Sequence, residues 1–228
     1  MTTELIVVLD VDKREEALHT VETCAGCQWF KIGSQLFTRC GPDIVHEIRE
    51  MGKKVFLDLK FHDIPNTVAK AAHAAAALGV HFITIHAVGG RRMIETARKA
   101  VDGTNTHILA VTVLTSLSDD MLHEEVGIPQ TAAEAVPRLA RMAFESGAHG
   151  VVCSPQEIRL IRDSLGRAPI IVAPGIRPAW ASTDDQSRVM TPREAAQAGA
   201  DYIVVGRPIL KHEHPAEAVR LIREELNV

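Results

Sequence analysis

The segment "KVFLDLKFHDIPNTV", residues 54–68, joins a strand pattern directly to the start of a helix. Its first half is apolar and β-branched, which predicts a buried strand. Pro65 then suits the first turn of a helix. Asp58, Lys60 and Asp63 nevertheless lie inside or just after the strand, although ionised side chains are expensive to bury unless they are paired. The segment therefore predicts a strand–helix unit with a cluster of charges at the end of the strand.

The same alternation of strand and helix patterns continues along the chain. Amphipathic or alanine-rich segments separate the strands, and several of them close with glycine, as helices often do. The predicted strands are residues 5–10, 29–33, 54–60, 81–87, 107–114, 150–154, 170–176 and 202–209. Strands that are apolar on both faces and alternate with helices indicate a parallel sheet covered by helices.

The number of these units and the chain length together predict the fold class. Eight strand–helix units in 228 residues match the size of a TIM barrel. A doubly wound open sheet is the alternative, and it is disfavoured because "VLDVDKREEA" follows the first strand instead of a GxGxxG turn. No linker or low-complexity tract divides the chain. We therefore predict an α/β protein, a (β/α)8 TIM barrel, with a single domain over residues 1–228.

The amino-acid composition argues against nucleic-acid and membrane partners. The chain is 46% hydrophobic and 24% charged, which is ordinary for a soluble protein with a sizeable core. A net charge of −4 without any Lys/Arg-rich run gives no sign of a nucleic-acid partner. No apolar stretch approaches the roughly 20 residues that span a bilayer, and the N-terminus has no secretory signal pattern. We expect a cytoplasmic protein with neither a membrane nor a nucleic-acid partner.

The cysteines and histidines do not predict a metal or redox site. "CAGC", residues 24–27, has thioredoxin-like spacing, but no second CxxC follows to complete a zinc site. We interpret Cys24 and Cys27 as half-buried thiols at a helix end. His62 and His86 belong to no set with metal-ligand spacing, and a hydrogen bond in a pocket is the predicted role of each.

Polar residues embedded in the predicted strands fall almost wholly at the carboxyl ends. Active sites of TIM barrels occupy that rim. The rim residues are Asp10, Lys31, Asp58, Lys60, His86, Thr115, Ser116, residues 175–177 and residues 206–207. A structural ion-pair network that plugs the barrel mouth is the alternative interpretation, and for Asp63 the alternative is a helix cap. Taken together, the set favours chemistry at the rim.

Strand geometry predicts that three of these charges meet. Asp58 and Lys60 are two residues apart, so a regular strand would direct both side chains to one face. Lys31 on the neighbouring strand could join them. Alternating carboxylates and ammonium groups can keep one another ionised in a pocket that holds little water.

Two glycine–arginine motifs follow the last two strands and predict a phosphate site. "APGIRP" (173–178) and "VGRPI" (205–209) occupy the positions at which barrel enzymes frequently bind a phosphate. Glycine lets backbone N–H groups approach the anion, and arginine supplies a bidentate fork. The loop between them, residues 178–195, is long and polar, which predicts a lid over the bound anion.

The segment "FLDLKFHDIPNTV" (56–68) resembles the signature of the orotidine 5′-monophosphate decarboxylase family. Its Asp-x-Lys-x-x-Asp core corresponds to Asp58, Lys60 and Asp63. The core alone also occurs in related phosphosugar decarboxylases and synthases, whereas the extension through residues 65–67 is more specific. The resemblance covers essentially the whole chain, including "VVLDVD", "FKIG", "TVLTS", "APGIRP", "DDQSRV" and "GRPI".

The resemblance implies cofactor-free conversion of orotidine 5′-monophosphate to uridine 5′-monophosphate and CO₂, the last step of de novo pyrimidine synthesis. It implies a homodimer in which Asp63 and Thr67 reach into the partner's site, with Lys60 as the proton donor and no metal. The implied catalytic residues are Lys31, Asp58, Lys60 and Asp63. The implied substrate-binding residues are Asp10, Lys31, Asp63, Ile64, Thr67, Thr115, Ser116, Arg177, Gln186, Gly206 and Arg207.

Three alternative functions are compatible with parts of this pattern. A Mg²⁺-dependent phosphosugar decarboxylase or aldolase would use the same Asp-Lys-Asp strand with a metal. A Schiff-base aldolase would use Lys60 or Lys31 as a nucleophile, but it needs a neutral lysine, which adjacent carboxylates oppose. A nucleotide-binding protein without catalysis is the third alternative, and it would leave the absorbance of the substrate unchanged.

Overall fold

A computed structural model describes residues 2–181 and 189–227 of the chain. Within these residues, eight parallel strands pair in chain order and close into a barrel, with the last strand beside the first. The strands are β1 Glu4–Val8, β2 Trp29–Gly33, β3 Lys54–Phe61, β4 Phe82–His86, β5 His107–Val111, β6 Gly150–Val152, β7 Ile170–Ala173 and β8 Tyr202–Val205. The predicted single-domain (β/α)8 TIM barrel is confirmed.

Helices connect the strands. They are α1 Arg14–Thr23, α2 Ser34–Cys40, α3 Asp43–Glu50, α4 Pro65–Ala77, α5 Gly90–Ala100, α6 Asp119–Glu124, α7 Ala132–Glu145, α8 Ile158–Leu165, α9 Pro192–Ala198, α10 Arg207–Leu210 and α11 Pro215–Leu226, with short 3₁₀ helices at Ala87–Gly89 and Pro155–Glu157. Helix α4 shows how the sequence sets the bounds. It begins at Pro65, and the chain leaves it through Gly79, whose φ of 71° favours glycine. None of the described helices is long and apolar enough to cross a membrane.

The apolar residues form two layers, because successive strand residues face opposite sides of the barrel wall. One layer packs the outer face of the strands against the helices and includes Val7, Phe30 and Ile83. The other fills the barrel interior. The buried residues of the interior layer are Ile6, Val8, Trp29, Phe56, Phe82, Leu109, Val172 and Val204.

Several predicted strands were too long at their carboxyl ends. The strands predicted to end at residues 10, 114, 154, 176 and 209 end at Val8, Val111, Val152, Ala173 and Val205. Residues 207–210 form α10 instead, and Ile209 is fully buried there. A short apolar run is equally compatible with a buried strand and a buried helical turn, which explains the error.

Aromatic side chains pack the amino end of the barrel interior. Trp29 stacks on Phe82 with ring centroids 4.6 Å apart, and Tyr202 meets both rings edge-on at 5.1 Å. Trp29 Nε1 donates a hydrogen bond to Glu4 Oε2 at 2.9 Å. This end of the barrel, which we call the base, is therefore closed by side chains.

Candidate active site

Three charged side chains meet at the carboxyl end of the barrel interior. Lys60 Nζ lies 2.8 Å from Asp58 Oδ2 and 2.9 Å from Oδ1. Lys31 Nζ lies 3.2 Å from Asp58 Oδ2 and 3.8 Å from Asp10 Oδ1. The side chains of Lys31 and Asp58 are only 12% and 10% exposed, whereas that of Asp10 is 56% exposed. The chain thus places one buried carboxylate between two ammonium groups.

The two lysines keep Asp58 ionised despite its burial. Burial by itself raises the pKa of this carboxyl group, but the charges of Lys31 and Lys60 and the hydrogen bonds from Lys60 and Thr84 outweigh it. The net result is a lowered pKa. Asp58 is therefore a carboxylate at neutral pH, and the buried charge is paired on both sides.

The backbone of β3 is irregular where it carries these charges. Leu57 pairs with Ile83 and Phe61 pairs with Ile85, so the register between β3 and β4 shifts in between. Lys60 has a φ of 50°, and no other non-glycine residue among those described has a positive φ. The expected meeting of Lys60 and Asp58 is found, but the expected reason, regular strand alternation, is wrong. A bulge and a left-handed residue direct Lys60 toward Asp58.

Gly33 leaves the space in which Lys31 and Asp10 approach each other. A Cβ atom at this position would lie 3.2 Å from Lys31 Nζ and 3.3 Å from Asp10 Oδ1. Any larger residue would press on both groups. Gly33 is not among the predicted site residues, although "FKIG" places it two residues after Lys31.

The charged residues and both glycine–arginine motifs open into one cavity of about 280 Å³. Its lining residues are Val8, Asp10, Lys31, Phe56, Asp58, Lys60, Thr115, Val152, Pro174, Gly175, Arg177, Val204, Gly206 and Arg207. Most of the residues that the sequence assigned to the rim are therefore neighbours in space. Ser116 is exposed and does not line the cavity.

Arg177 and Gly206, two of the residues predicted to bind phosphate, are both packed closely against the rest of the barrel. Arg177 is 6% exposed, and its backbone N–H donates to the carbonyl oxygen of Met190 at 2.9 Å. A Cβ atom at Gly206 would lie 3.3 Å from Val8 Cβ, so glycine permits this backbone to lie close to β1. Gln186 and the central part of the predicted lid, residues 182–188, lie outside the described residues.

Asp63, Ile64 and Thr67 lie at the start of α4 and do not line the cavity of their own chain. All three are exposed, and Ile64 is 67% exposed. The Asp63 carboxylate accepts a hydrogen bond from the backbone N–H of Ile64 at 2.6 Å. The N-cap residue of α4 is Ile64, and no side chain makes a capping hydrogen bond there. The interpretation of Asp63 as the N-cap of this helix is therefore wrong.

His62 and His86 lie beside each other near the rim, with ring centroids 5.4 Å apart. Burial lowers the pKa of His86, and the nearby His62 and Lys60 lower it further. His86 is therefore neutral at pH 7. Among residues 2–181 and 189–227, no group of three His, Cys, Asp or Glu side chains is arranged to hold a metal ion.

The thiols of the CAGC segment are more buried than predicted. Cys24 and Cys27 are 1% and 3% exposed. Burial raises the pKa of Cys24 to about 11 and also raises that of Cys27. The reactive thiolate is therefore scarce at neutral pH.

The closed parallel barrel, with paired charges and two glycine–arginine motifs around a cavity at its carboxyl rim, places the chain in the class of TIM-barrel proteins. Comparison with known sequences identifies the family. Residues 3–222 match the family described as "Orotidine 5'-phosphate decarboxylase / HUMPS family". The chain belongs to this family.

Individual proteins with this family's name are similar to the chain over nearly its full length. A Heliobacterium modesticaldum protein named orotidine 5′-phosphate decarboxylase is 51% identical, with 97% of this chain and 95% of that protein covered. A Saccharophagus degradans protein of the same name is 49% identical, with 98% and 94% covered. The crystal structure of orotidine 5′-phosphate decarboxylase from Lactobacillus acidophilus superposes with a TM-score of 0.88 at 40% identity, covering 99% of this chain and 100% of that one.

Proposed function

We propose that the protein converts orotidine 5′-monophosphate to uridine 5′-monophosphate and CO₂ without a cofactor, in de novo pyrimidine synthesis in the cytoplasm. Family membership supports the overall reaction. One observation carries the detailed proposal. Lys60 Nζ is held at 2.8 Å from the buried Asp58 carboxylate, in the same cavity as Arg177 and Arg207.

Lys60 is the proposed proton donor. When the bond between C6 of the pyrimidine and the carboxylate breaks, CO₂ leaves and the electron pair stays on C6 in the plane of the ring. An ammonium group held beside C6 stabilises that carbanion and then transfers a proton to it. The product gains one C–H bond, and the resulting Lys60 amine recovers a proton from solvent.

Asp58 has two proposed roles. Its lowered pKa keeps it ionised, and as a carboxylate it accepts a hydrogen bond from Lys60 Nζ at 2.8 Å and so holds that group at the cavity wall. A second role follows from its burial beside the cavity. Near the substrate carboxylate, the Asp58 carboxylate repels a like charge, and loss of CO₂ removes that repulsion.

The remaining cavity residues are assigned to binding. Lys31 and Asp10, which lie 3.8 Å apart at the cavity wall, are proposed to hold the ribose hydroxyls and to order the charges. Thr115 lines the cavity and is proposed to face the base. We also assign Ser116 to the base, although it is exposed in the chain without a bound ligand.

The phosphate is assigned to the motifs after β7 and β8. Arg177, Arg207 and the backbone of Gly206 line the same cavity as the charged cluster, and Gln186 completes the proposed set. Phosphate binding is remote from C6, so its free energy can be used to close the predicted lid and to assemble the charged site. The lid was predicted to extend to residue 195, but α9 begins at Pro192, so the proposed lid is residues 178–191.

We propose that two such chains form a homodimer with shared active sites. Asp63, Thr67 and the 67%-exposed Ile64 are available on the surface at the start of α4 and are absent from the cavity lining of their own chain. These are the properties of residues that act in a neighbouring protomer. In this assembly, each site takes Lys60 from one chain and Asp63 from the other.

Mixed dimers test the reaction and the shared site together. Lys60→Ala and Asp63→Ala should each be nearly inactive alone. Co-expressed, they form hybrid dimers in which one of the two sites has both native residues, so turnover of orotidine 5′-monophosphate should recover to about a quarter of the native value.

The matched control combines Lys60→Ala with Lys31→Ala. Both residues are proposed to serve the site of their own chain, so no hybrid site is intact and no recovery should follow. Absence of recovery in the first mixture as well would show that Asp63 does not act across the interface.

A further inference from the structure

Thr84 on β4 joins two parts of the charged cluster through one hydroxyl group. Its Oγ1 donates to Asp58 Oδ1 at 2.8 Å and accepts from the backbone N–H of Lys60 at 2.9 Å. A hydroxyl has one hydrogen to donate, and an amide N–H can only donate, so both directions are fixed. Thr84 is fully buried, which leaves the protein to supply both partners.

The hydroxyl lies at the irregularity between β3 and β4. Because Leu57 pairs with Ile83 and Phe61 with Ile85, three residues of β3 stand opposite Thr84 alone. The regular ladder of backbone hydrogen bonds is broken over this stretch. The Thr84 hydroxyl supplies an acceptor for the Lys60 N–H in place of a strand carbonyl.

Lys60 adopts a backbone conformation that residues with a Cβ atom disfavour. Its φ of 50° is in the left-handed region, and such a residue persists only where its surroundings hold it. The hydrogen bond to Thr84 is one such restraint. It connects the residue with the unusual backbone to the carboxylate that its own ammonium group contacts.

We propose that Thr84 is a positioning residue for decarboxylation, because its hydroxyl fixes the Asp58 carboxylate and the left-handed backbone of Lys60 relative to each other. The inference rests on the proposed roles of Asp58 and Lys60. Thr84 itself does not line the cavity, so it acts through these two residues and not on the substrate.

Removal of the hydroxyl should slow the chemical step more than it weakens binding. Without Thr84 Oγ1, the Lys60 N–H loses an acceptor and Asp58 loses a donor, so Lys60 Nζ is no longer held in one place. Hydrogen bonds to charged groups are strong enough that their loss corresponds to a decrease in kcat of about 10- to 100-fold. The proposed ribose and phosphate contacts are untouched, so KM should change by less than about threefold.

Thr84→Val is the direct test, because valine keeps the shape and removes the hydroxyl. Thr84→Ser restores the hydroxyl and should return kcat to within about threefold of the native value. The matched control is Thr106→Val. Thr106 is also buried and donates to the carbonyl oxygen of Val80 at 2.6 Å, at the start of β5 away from the cavity. This variant should lose stability and keep kcat.

The outcomes separate this inference from the proposed function. An unchanged kcat in folded Thr84→Val, or a loss that Thr84→Ser does not restore, overturns the role of Thr84 if Lys60→Ala still abolishes turnover. Appreciable turnover in Lys60→Ala would contradict the proposed function instead. If Thr84→Val does not fold, Thr84→Cys, which offers only a weak donor, should lower kcat by about tenfold, and an unchanged kcat there has the same meaning.

Discussion

The two ends of the barrel interior differ in the side chains that they bury. At the base, β2, β4 and β8 contribute Trp29, Phe82 and Tyr202, whose rings pack within 5.1 Å of one another. At the rim, β2 and β3 contribute Lys31, Asp58 and Lys60. One end buries aromatic surface, and the other buries charge.

This difference indicates that the base stabilises the folded state, whereas the rim lowers its stability. Aromatic pairs at the base add to the free energy of unfolding through burial and ring geometry. The rim contains a buried carboxylate, two lysines and a left-handed residue, each of which is tolerated only because its neighbours compensate. We therefore expect rim substitutions to change activity and base substitutions to change stability.

The largest expected effect is loss of turnover in Lys60→Ala. This change removes the proposed proton donor and one cation beside C6, so kcat should fall by at least about 10⁴-fold. Thermal melting should stay within a few degrees of the native protein, because Asp58 keeps Lys31 as a partner at 3.2 Å. An assay of orotidine 5′-monophosphate turnover, run beside calorimetry, measures both quantities. A melting temperature that fell steeply would place Lys60 among the structural residues.

Phe82→Leu should give the opposite result at the base. The ring is 2% exposed and pairs with the rings of Trp29, Phe56, His107 and Tyr202, so its loss removes four aromatic pairs. The free energy of unfolding should fall by about 1–3 kcal/mol, measured by urea denaturation. For the protein that remains folded, kcat should stay within about twofold of the native value. A large decrease in kcat with an unchanged free energy of unfolding would contradict the proposal that base residues determine stability and rim residues determine activity.

The smallest expected effect is a pH dependence of stability at the base. Burial lowers the pKa of His149 to about 4 from 6.5, with further contributions from His107 and Arg98, and its Nδ1 accepts a hydrogen bond from the Ile108 N–H at 2.9 Å. Between these two pKa values the unfolded chain binds a proton that the folded protein does not. This contribution to stability is therefore present above pH 6.5 and lost as the pH falls toward 4.

His149→Asn tests this dependence, since asparagine offers an acceptor without titrating. Between pH 7 and pH 5, the melting temperature of the native protein should fall by about 2–4 °C more than that of the variant. If the melting temperatures of the two proteins fell equally over this pH range, His149 would not contribute to the pH dependence of stability.

Much of the fold could be predicted from the sequence because each unit repeats one physical pattern. Buried β-branched runs and helical segments alternate along the whole chain, and glycines follow several of the helices. The carboxyl ends of the strands were predicted less well, as at Ile209, because a short apolar run does not distinguish a buried strand from a buried helical turn.

The candidate site could be predicted in composition but not in geometry. Charge type and position near strand ends indicated Asp58, Lys60 and Lys31. The bulge that directs Lys60 gives no local signal, and Thr84 reads as an ordinary β-branched strand residue until its two hydrogen bonds are seen. Whether Asp63 serves its own chain or a neighbour depends on a second protomer, which the pattern of one chain does not contain.

The most direct test is a spectrophotometric assay of the purified protein with orotidine 5′-monophosphate in the presence of EDTA. If side chains at the rim perform the decarboxylation alone, the absorbance of the substrate should fall at the same rate with and without the chelator. A substrate spectrum that stays constant, or a rate that EDTA abolishes and Mg²⁺ restores, would contradict cofactor-free decarboxylation at this rim.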